Sequence, residues 1–273
     1  MRERWRRTSR CTWLLMRDLS RRPLTFVLIG GLPALFALVG GATTPARPGE
    51  IKVALLVDPE ASSRRTNRFV LDVLDDGVRT LDRRAVALTF LGIAAVGFVS
   101  AFFAFYLVHR RLEVDRRLAL VGLPPVEIGT AKLAVLAGLV ISLSTYQLAL
   151  LAATEPIAHP LGLFGGLIAV GLVYGAVGLL LGALSRHEIE GLLVIVLLAN
   201  IDVGWLQNPA YYAESQRRWI IESLPGFFPT QLALLSVFEP RGLAGAAGWC
   251  SLWVAGAFLA ALVAIMVRTR RRA

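Results

Sequence analysis

Pro156-Ile-Ala-His-Pro-Leu-Gly-Leu-Phe-Gly-Gly-Leu-Ile-Ala-Val-Gly-Leu-Val-Tyr-Gly-Ala-Val-Gly-Leu-Leu-Leu-Gly-Ala-Leu-Ser185 runs for 30 residues without an Asp, Glu, Lys or Arg. The hydrocarbon core of a bilayer is roughly 30 Å thick and takes about 20 residues of α-helix, so this stretch is long enough to cross alone. Working outward, Pro23–Ala46, Ala85–Val108, Leu133–Thr154 and Gly242–Val267 are equally free of charge, and Gly191–Leu206 carries a single one, Asp202. A soluble domain of this length has no interior large enough for so many all-round apolar helices. The expectation is an all-α integral membrane protein with six transmembrane helices.

Composition agrees. Hydrophobic residues make up 56% of the chain and the mean hydropathy is +0.63, and short connections leave room for one membrane domain, 23–273. The net charge of +10 does not point to nucleic acid, because it sorts by side. With the N-terminus cytoplasmic, the inner segments (1–22, 109–132, 186–190 and 268–273) hold 18 Lys/Arg against 7 Asp/Glu, and the outer ones 11 against 12. That is the positive-inside pattern, and it places both termini in the cytoplasm. Arginine is abundant while Lys52 and Lys132 are the only lysines. This bias fits a GC-rich bacterium, hence a multi-pass protein of the bacterial inner membrane. Cys11 and Cys250 are too few and too far apart for a disulfide framework.

The connections have character of their own. Residues 1–22 hold eight Arg and bring Trp5, Thr12, Leu15, Met16 and Leu19 near one helical face. They read as an amphipathic helix lying on the cytoplasmic interface, with Pro23 opening the first span. In the outer loop 47–84, Ile51–Val57 resembles a short strand. Ser62 and Ser63 are placed to cap a helix carrying Phe69, Val70, Val73, Leu74, Val78 and Leu81. Gly171, Gly175, Gly178 and Gly182 recur at helical spacing, so a neighbouring helix can approach the fourth span closely. In 207–241, Tyr211, Tyr212 and Trp219 form an interfacial aromatic belt. The run Gln231–Phe238 after Leu224-Pro-Gly-Phe-Phe-Pro229 is too short to cross and is expected as an outer re-entrant or surface-lying helix.

Catalytic chemistry is hard to find. No GxxxxGK[ST] phosphate-binding loop occurs. His109, His159 and His187 lie singly, without a second ligand at metal spacing, and the spans lack the paired acids and cations of ion relays. The chain reads as no enzyme, binding no cofactor itself. Asp202 is expected near the outer end of its span, either pairing with the following loop or, with Asn200, lining an exit cavity.

The segment between spans two and three is the strongest motif: His109-Arg-Arg-Leu-Glu-Val-Asp-Arg-Arg-Leu-Ala-Leu-Val-Gly-Leu-Pro-Pro-Val-Glu-Ile-Gly-Thr-Ala-Lys132. Charges of both signs interleave with Leu112, Leu118 and Leu120 on a short helix that ends at Gly122 and is broken by Pro124-Pro125. A rigid amphipathic helix on a tight hairpin suits a membrane subunit that receives work from a soluble motor. This segment, the Arg-rich arm followed by Pro-Leu-Thr-Phe, the extended Lys52–Asp58, Gly178-Leu-Leu-Leu-Gly182 and Leu224-Pro to Gln231 together resemble, in order and spacing, permease subunits of the type-2 ABC transporters. The outer loop is short beside the external domains of some members of that family.

The resemblance implies a coupling helix at 110–123 that docks on a separate ABC ATPase subunit through Arg110, Arg111, Glu113, Asp115, Arg116, Arg117, Leu118, Gly122 and Pro124. ATP and Mg would be held by that partner. It implies a second permease subunit, expected as a homodimer, and an outer gate drawing on Asn200, Asp202, Pro225, Gly226, Pro229 and Gln231. The expected function is ATP-driven export of a hydrophobic or amphipathic substrate, with membrane lipids and no nucleic acid as further contacts. The competing expectation is a membrane-embedded regulatory or assembly subunit without transport of its own. A secondary transporter would show internal symmetry and midplane charges, which this sequence lacks.

Overall fold

A computed structural model describes residues 9, 11–17, 21, 27–44, 50–53, 79–208, 211–212, 215, 217–238 and 243–270. Its order is a π-helical turn (Val27–Gly31) running into α1 (Leu32–Thr43), then β1 (Glu50–Val53), β2 (Arg79–Asp82), α2 (Arg83–His109), α3 (Leu112–Leu120), α4 (Pro125–Thr154), α5 (Pro160–Leu184), α6 (Glu188–Ala199), a π-helical turn (Asn200–Leu206), α7 (Arg218–Glu222), α8 (Phe227–Phe238) and α9 (Leu243–Arg270). Among the described residues five helical segments are long and apolar enough to cross a membrane: α2, α4, α5, α6 with its π turn, and α9. The segment expected as the first span is shorter, an apolar helix over Ile29–Thr43. The molecule is therefore a multi-pass helical membrane protein.

Helix boundaries follow from local chemistry. α4 begins at Pro125, eight residues before the charge-free run does, because proline suits a first helical turn. Gly122 has φ +95°, a conformation that glycine adopts without the steric penalty of a Cβ, so the chain reverses between α3 and α4 there. The last carbonyls of α5 have no intrahelical partners. Arg268 of α9 donates to them, reaching Ala183 O, and Ser185 O at 3.1 Å.

The core is built on α5. Between apolar helices in lipid there is no hydrophobic driving force, so close packing must hold them together. The four glycines serve two neighbours. A Cβ on Gly171 or Gly175 would meet α4 at Val140 (2.7 Å) or Leu136 (2.8 Å), while one on Gly178 or Gly182 would meet the α2 backbone at Ala101 or Phe105. A third face of α5 receives α8, where a Cβ on Gly166 would lie 2.7 Å from the backbone nitrogen of Ala233. Accordingly 72% of the apolar segment of α2 and 67% of that of α5 is buried, against 28% for α6 and 17% for α9.

Three expectations are corrected. Leu81 is not helical: Arg79–Asp82 pairs antiparallel with Glu50–Val53, Leu81 facing Ile51. A strand rich in β-branched residues needs a partner for its backbone groups, and the chain supplies one as it returns to α2. Tyr212 is buried, not part of an interfacial belt, whereas Tyr211 and Trp219 are exposed. Of the two placements expected for the run before the last span, re-entrant or surface-lying, the second is ruled out: α8 begins at Phe227 and is buried from there through Val237. The N-terminal arm is helical over 11–17, with Leu15 buried in the cluster that includes Leu107, Val135 and Ala261 and Trp13, Leu14 and Met16 exposed. Trp5, Leu19, Pro23, the strand residues after Val53 and the loop helix from Ser62 to Val78 lie outside the described residues.

Candidate functional site

Two clusters of polar side chains stand out against the apolar bundle, one between α3 and α4 and one around Tyr174 near the middle of α5. The first is the α3 hairpin. α3 is strongly amphipathic, and its inward face carries Asp115, 4% exposed, whose carboxylate accepts from the Nζ of the fully buried Lys132 on α4. Burial pushes the Asp115 carboxyl above its ordinary range, against the pull of Lys132 beside it. Removing either partner would strand a buried charge, so this pair fixes α3 on α4. Cys11 is close enough to feel the Asp115 charge, and burial together with that charge pushes its thiol up. The N-terminal arm, α3 and α4 therefore meet at one point.

Arg110 anchors the other end of the hairpin. It pairs with Glu188 at the start of α6 at 3.4 Å and its guanidinium lies 4.4 Å from the centroid of the Tyr106 ring. What remains outward is Glu113, Val114, Arg117, Leu120, Val121, Pro124 and Val126, with Leu120 71% and Val121 88% exposed. Arg111 and Leu118 are half-buried and Gly122 is exposed; the side chain of Arg116 lies outside the described residues. Asp115 is thus not available as a docking charge, since it is already paired beneath the hairpin. The outward face is an apolar tip flanked by charges of both signs.

The second cluster surrounds Asp202, against Tyr174 near the middle of α5. The π turn Asn200–Leu206 follows α6 directly, and such turns re-aim side chains within a helix. Asn200 is exposed and donates back to Val196 O at 2.7 Å, whereas Asp202 is 1% exposed. The Asp202 carboxylate accepts from the Tyr174 hydroxyl on α5, from Gln207 Nε2 at 2.7 Å and from the backbone N–H of Gly226 at 3.2 Å. One carboxylate thereby joins α5, the π turn and the start of α8, and its buried oxygens are satisfied as buried charge requires. Asp202 pairs with the residues that follow it but lies inside the protein rather than at its boundary. Asn200 thus faces outward while Asp202 faces inward.

Of the other residues expected at the outer gate, Gly226, Pro229 and Gln231 are buried and Pro225 is half-buried. Loop N–H groups of His159 (2.8 Å) and Ala158 (3.4 Å) donate to Ser236 O and Val237 O at the far end of α8, leaving neither end of this short helix without partners. Sequence reading missed Tyr174 and Gln207. Their polar groups inside otherwise apolar segments were the available signal. A Cβ on Gly226 would fall 3.0 Å from Asp202 Oδ2 and against the Tyr174 hydroxyl. Gly226→Ala is therefore expected to open this junction. Tyr174→Phe, which leaves the carboxylate short of one donor, is expected to cost about 1–3 kcal/mol. Both should lower the midpoint of thermal unfolding in detergent, and an unchanged midpoint in both would refute the assignment.

The arrangement gathers its polar groups around one carboxylate and one ion pair, and among the described residues no three His, Cys, Asp or Glu side chains gather to hold a metal ion. What it offers is two polar attachment points, one joining α3 to α2, α4 and α6 and the other joining α5, the π turn and the start of α8. No protein-family model matches this chain, and no curated protein is significantly similar to it in sequence.

Proposed function

We propose that this chain is the membrane-spanning permease subunit of an ATP-driven exporter of the type-2 ABC class. It works with a separate ATPase chain that holds ATP and Mg, and with a second permease subunit identical to itself. The observation that carries the reading is the α3 hairpin: an exposed apolar tip mounted through a buried ion pair on α4 and through Arg110 on α2 and α6. A force applied to such a tip passes to the central spans instead of being absorbed by a flexible loop. Both termini are then cytoplasmic, the short helix α1 completes the first of six crossings with the residues before it, and α8 is a re-entrant helix on the outer side. The cargo is hydrophobic or amphipathic, in keeping with apolar spans.

Exposed ion pairs contribute about 0–1 kcal/mol each, while a desolvated apolar anchor at an interface contributes on the order of 2 kcal/mol or more. Leu120→Asp combined with Val121→Asp is therefore expected to leave the protein folded in the membrane and to abolish both retention of the ATPase subunit and stimulation of its ATP hydrolysis in the co-purified complex. Wild-type retention and activity in that variant would remove the reading's main support. Asp115→Lys is the wrong test, because a second cation against Lys132 disrupts the hairpin itself.

A further inference from the structure

α6 and the π turn after it present one face to the bundle and the other outward. Ile195, Ala199 and Asp202 are buried, whereas Leu193, Leu197, Asn200 and Gly204 are exposed. The exposed four recur every three or four residues, so they form one stripe along the segment. Lipid covers the two leucines without cost in a helix that crosses a membrane. Asn200 is different.

It stands well within the 19-residue apolar segment Glu188–Leu206. At 1.5 Å per helical residue it is about 18 Å from the Glu188 end and about 9 Å from the Leu206 end, inside a hydrocarbon core of roughly 30 Å. One N–H of its amide donates to Val196 O on the same helix at 2.7 Å. Among the described residues its Oδ1 and its other N–H have no partner. An amide facing hydrocarbon has no water to turn to, so it is costly unless a neighbouring helix answers it. Gly204 leaves room for that neighbour. The atoms nearest to a Cβ there would be Ala199 O at 3.7 Å and Asn200 Oδ1 at 3.8 Å, both of the same segment.

The missing partner must offer both an acceptor and a donor at the depth of Asn200. A second copy of this chain, inserted in the same orientation, does so by symmetry. A two-fold axis along the membrane normal keeps each residue at its own depth and sets one patch against itself. An amide is its own complement across such an axis, since each can donate to the other. We propose that two copies of the chain meet along this stripe of α6, each Asn200 amide donating to Oδ1 of the partner's Asn200. The inference rests on the homodimer of the proposed function and names the face on which the second subunit sits.

The test uses the purified full chain alone, without an ATPase subunit, in vesicles of phosphatidylcholine and phosphatidylglycerol. Energy transfer between copies carrying donor and acceptor dyes at the C-terminus is followed as added lipid dilutes the protein. Wild-type chain is expected to pair. Asn200→Leu should weaken pairing about tenfold, the effect of one hydrogen bond between membrane helices, and Asn200→Gln, which keeps the amide, should pair as wild type does. In a chain that also carries Cys11→Ser and Cys250→Ser, copper phenanthroline should oxidise Asn200→Cys to a disulfide-linked dimer. Ile141→Cys on α4 and Leu259→Cys on α9, which are also exposed, should stay unlinked. A wild-type chain that remains monomeric overturns this inference together with the homodimer. A dimer indifferent to Asn200→Leu, or one that links through position 141 or 259 and not through 200, overturns this inference alone and leaves the homodimer standing.

Discussion

Leucine at position 178 is expected to prevent the bundle from assembling, at a cost of about 3 kcal/mol or more, the upper end of what overpacked cores show. The reason is the kind of atom in the way. A Cβ on Gly178 would collide with the carbonyl oxygen of Ala101 and lie 2.8 Å from its carbon and 3.0 Å from its Cα. Backbone in the middle of a 27-residue helix has no rotamer to move into. The only relief is to push α2 and α5 apart, and in lipid their association depends on that close approach. Both also carry the contacts to α4, α6 and α8, so separation would propagate through the core. Gly165→Leu on the same helix is the control, since no atom lies within 4 Å of a Cβ there; a surface change of this sort stays within about 0.5 kcal/mol. Unfolding titrations in detergent would compare them, and equal stability of the two variants would show that the α2–α5 contact does not hold the fold.

The second large effect belongs to the ion pair beneath α3. Lys132→Met is expected to cost about 3–5 kcal/mol, because it leaves Asp115 buried without a counter-charge. Adding Asp115→Leu should recover most of the loss, since replacing a whole buried pair by apolar groups is often close to neutral. A double variant as unstable as the single one would mean that the pair does not act as a unit. Under the proposed function the double variant also separates two roles: if stability returns while stimulation of the proposed ATPase partner does not, the pair sets the position of the hairpin tip as well as holding it.

The spans were legible because exclusion of charge from hydrocarbon is a property of composition, visible without knowing any neighbour. The same criterion misplaced the start of α4. It stops at Lys132, yet Lys132 is inside the protein, paired with a residue on another helix, and the helix continues back to Pro125. Asp202 shows the limit more plainly. Its partners Tyr174 and Gly226 lie 28 residues before and 24 after it, a juxtaposition that no local pattern encodes. Likewise Leu81 fits a helical face by spacing, but a strand 30 positions earlier in the chain, at Ile51, takes it as a partner. The α3 hairpin was readable since proline, glycine and amphipathic spacing act locally. Which of its charges face outward was not.

The burial of α8 has a consequence for how the protein is made. Phe228 of α8 stacks on Trp249 of α9 with ring centroids 5.5 Å apart, and Phe227 and Leu232 share a cluster with Ala246 and Cys250. One wall of the cleft that houses α8 is thus translated after α8 itself. A ribosome that has just finished residue 238 has produced a short apolar segment with nowhere to go: too brief to be released sideways into lipid as a span and still lacking its last neighbour. Biogenesis must hold α8 waiting until the C-terminal helix arrives, and a chain that terminates early would present this segment to the quality-control proteases of the membrane.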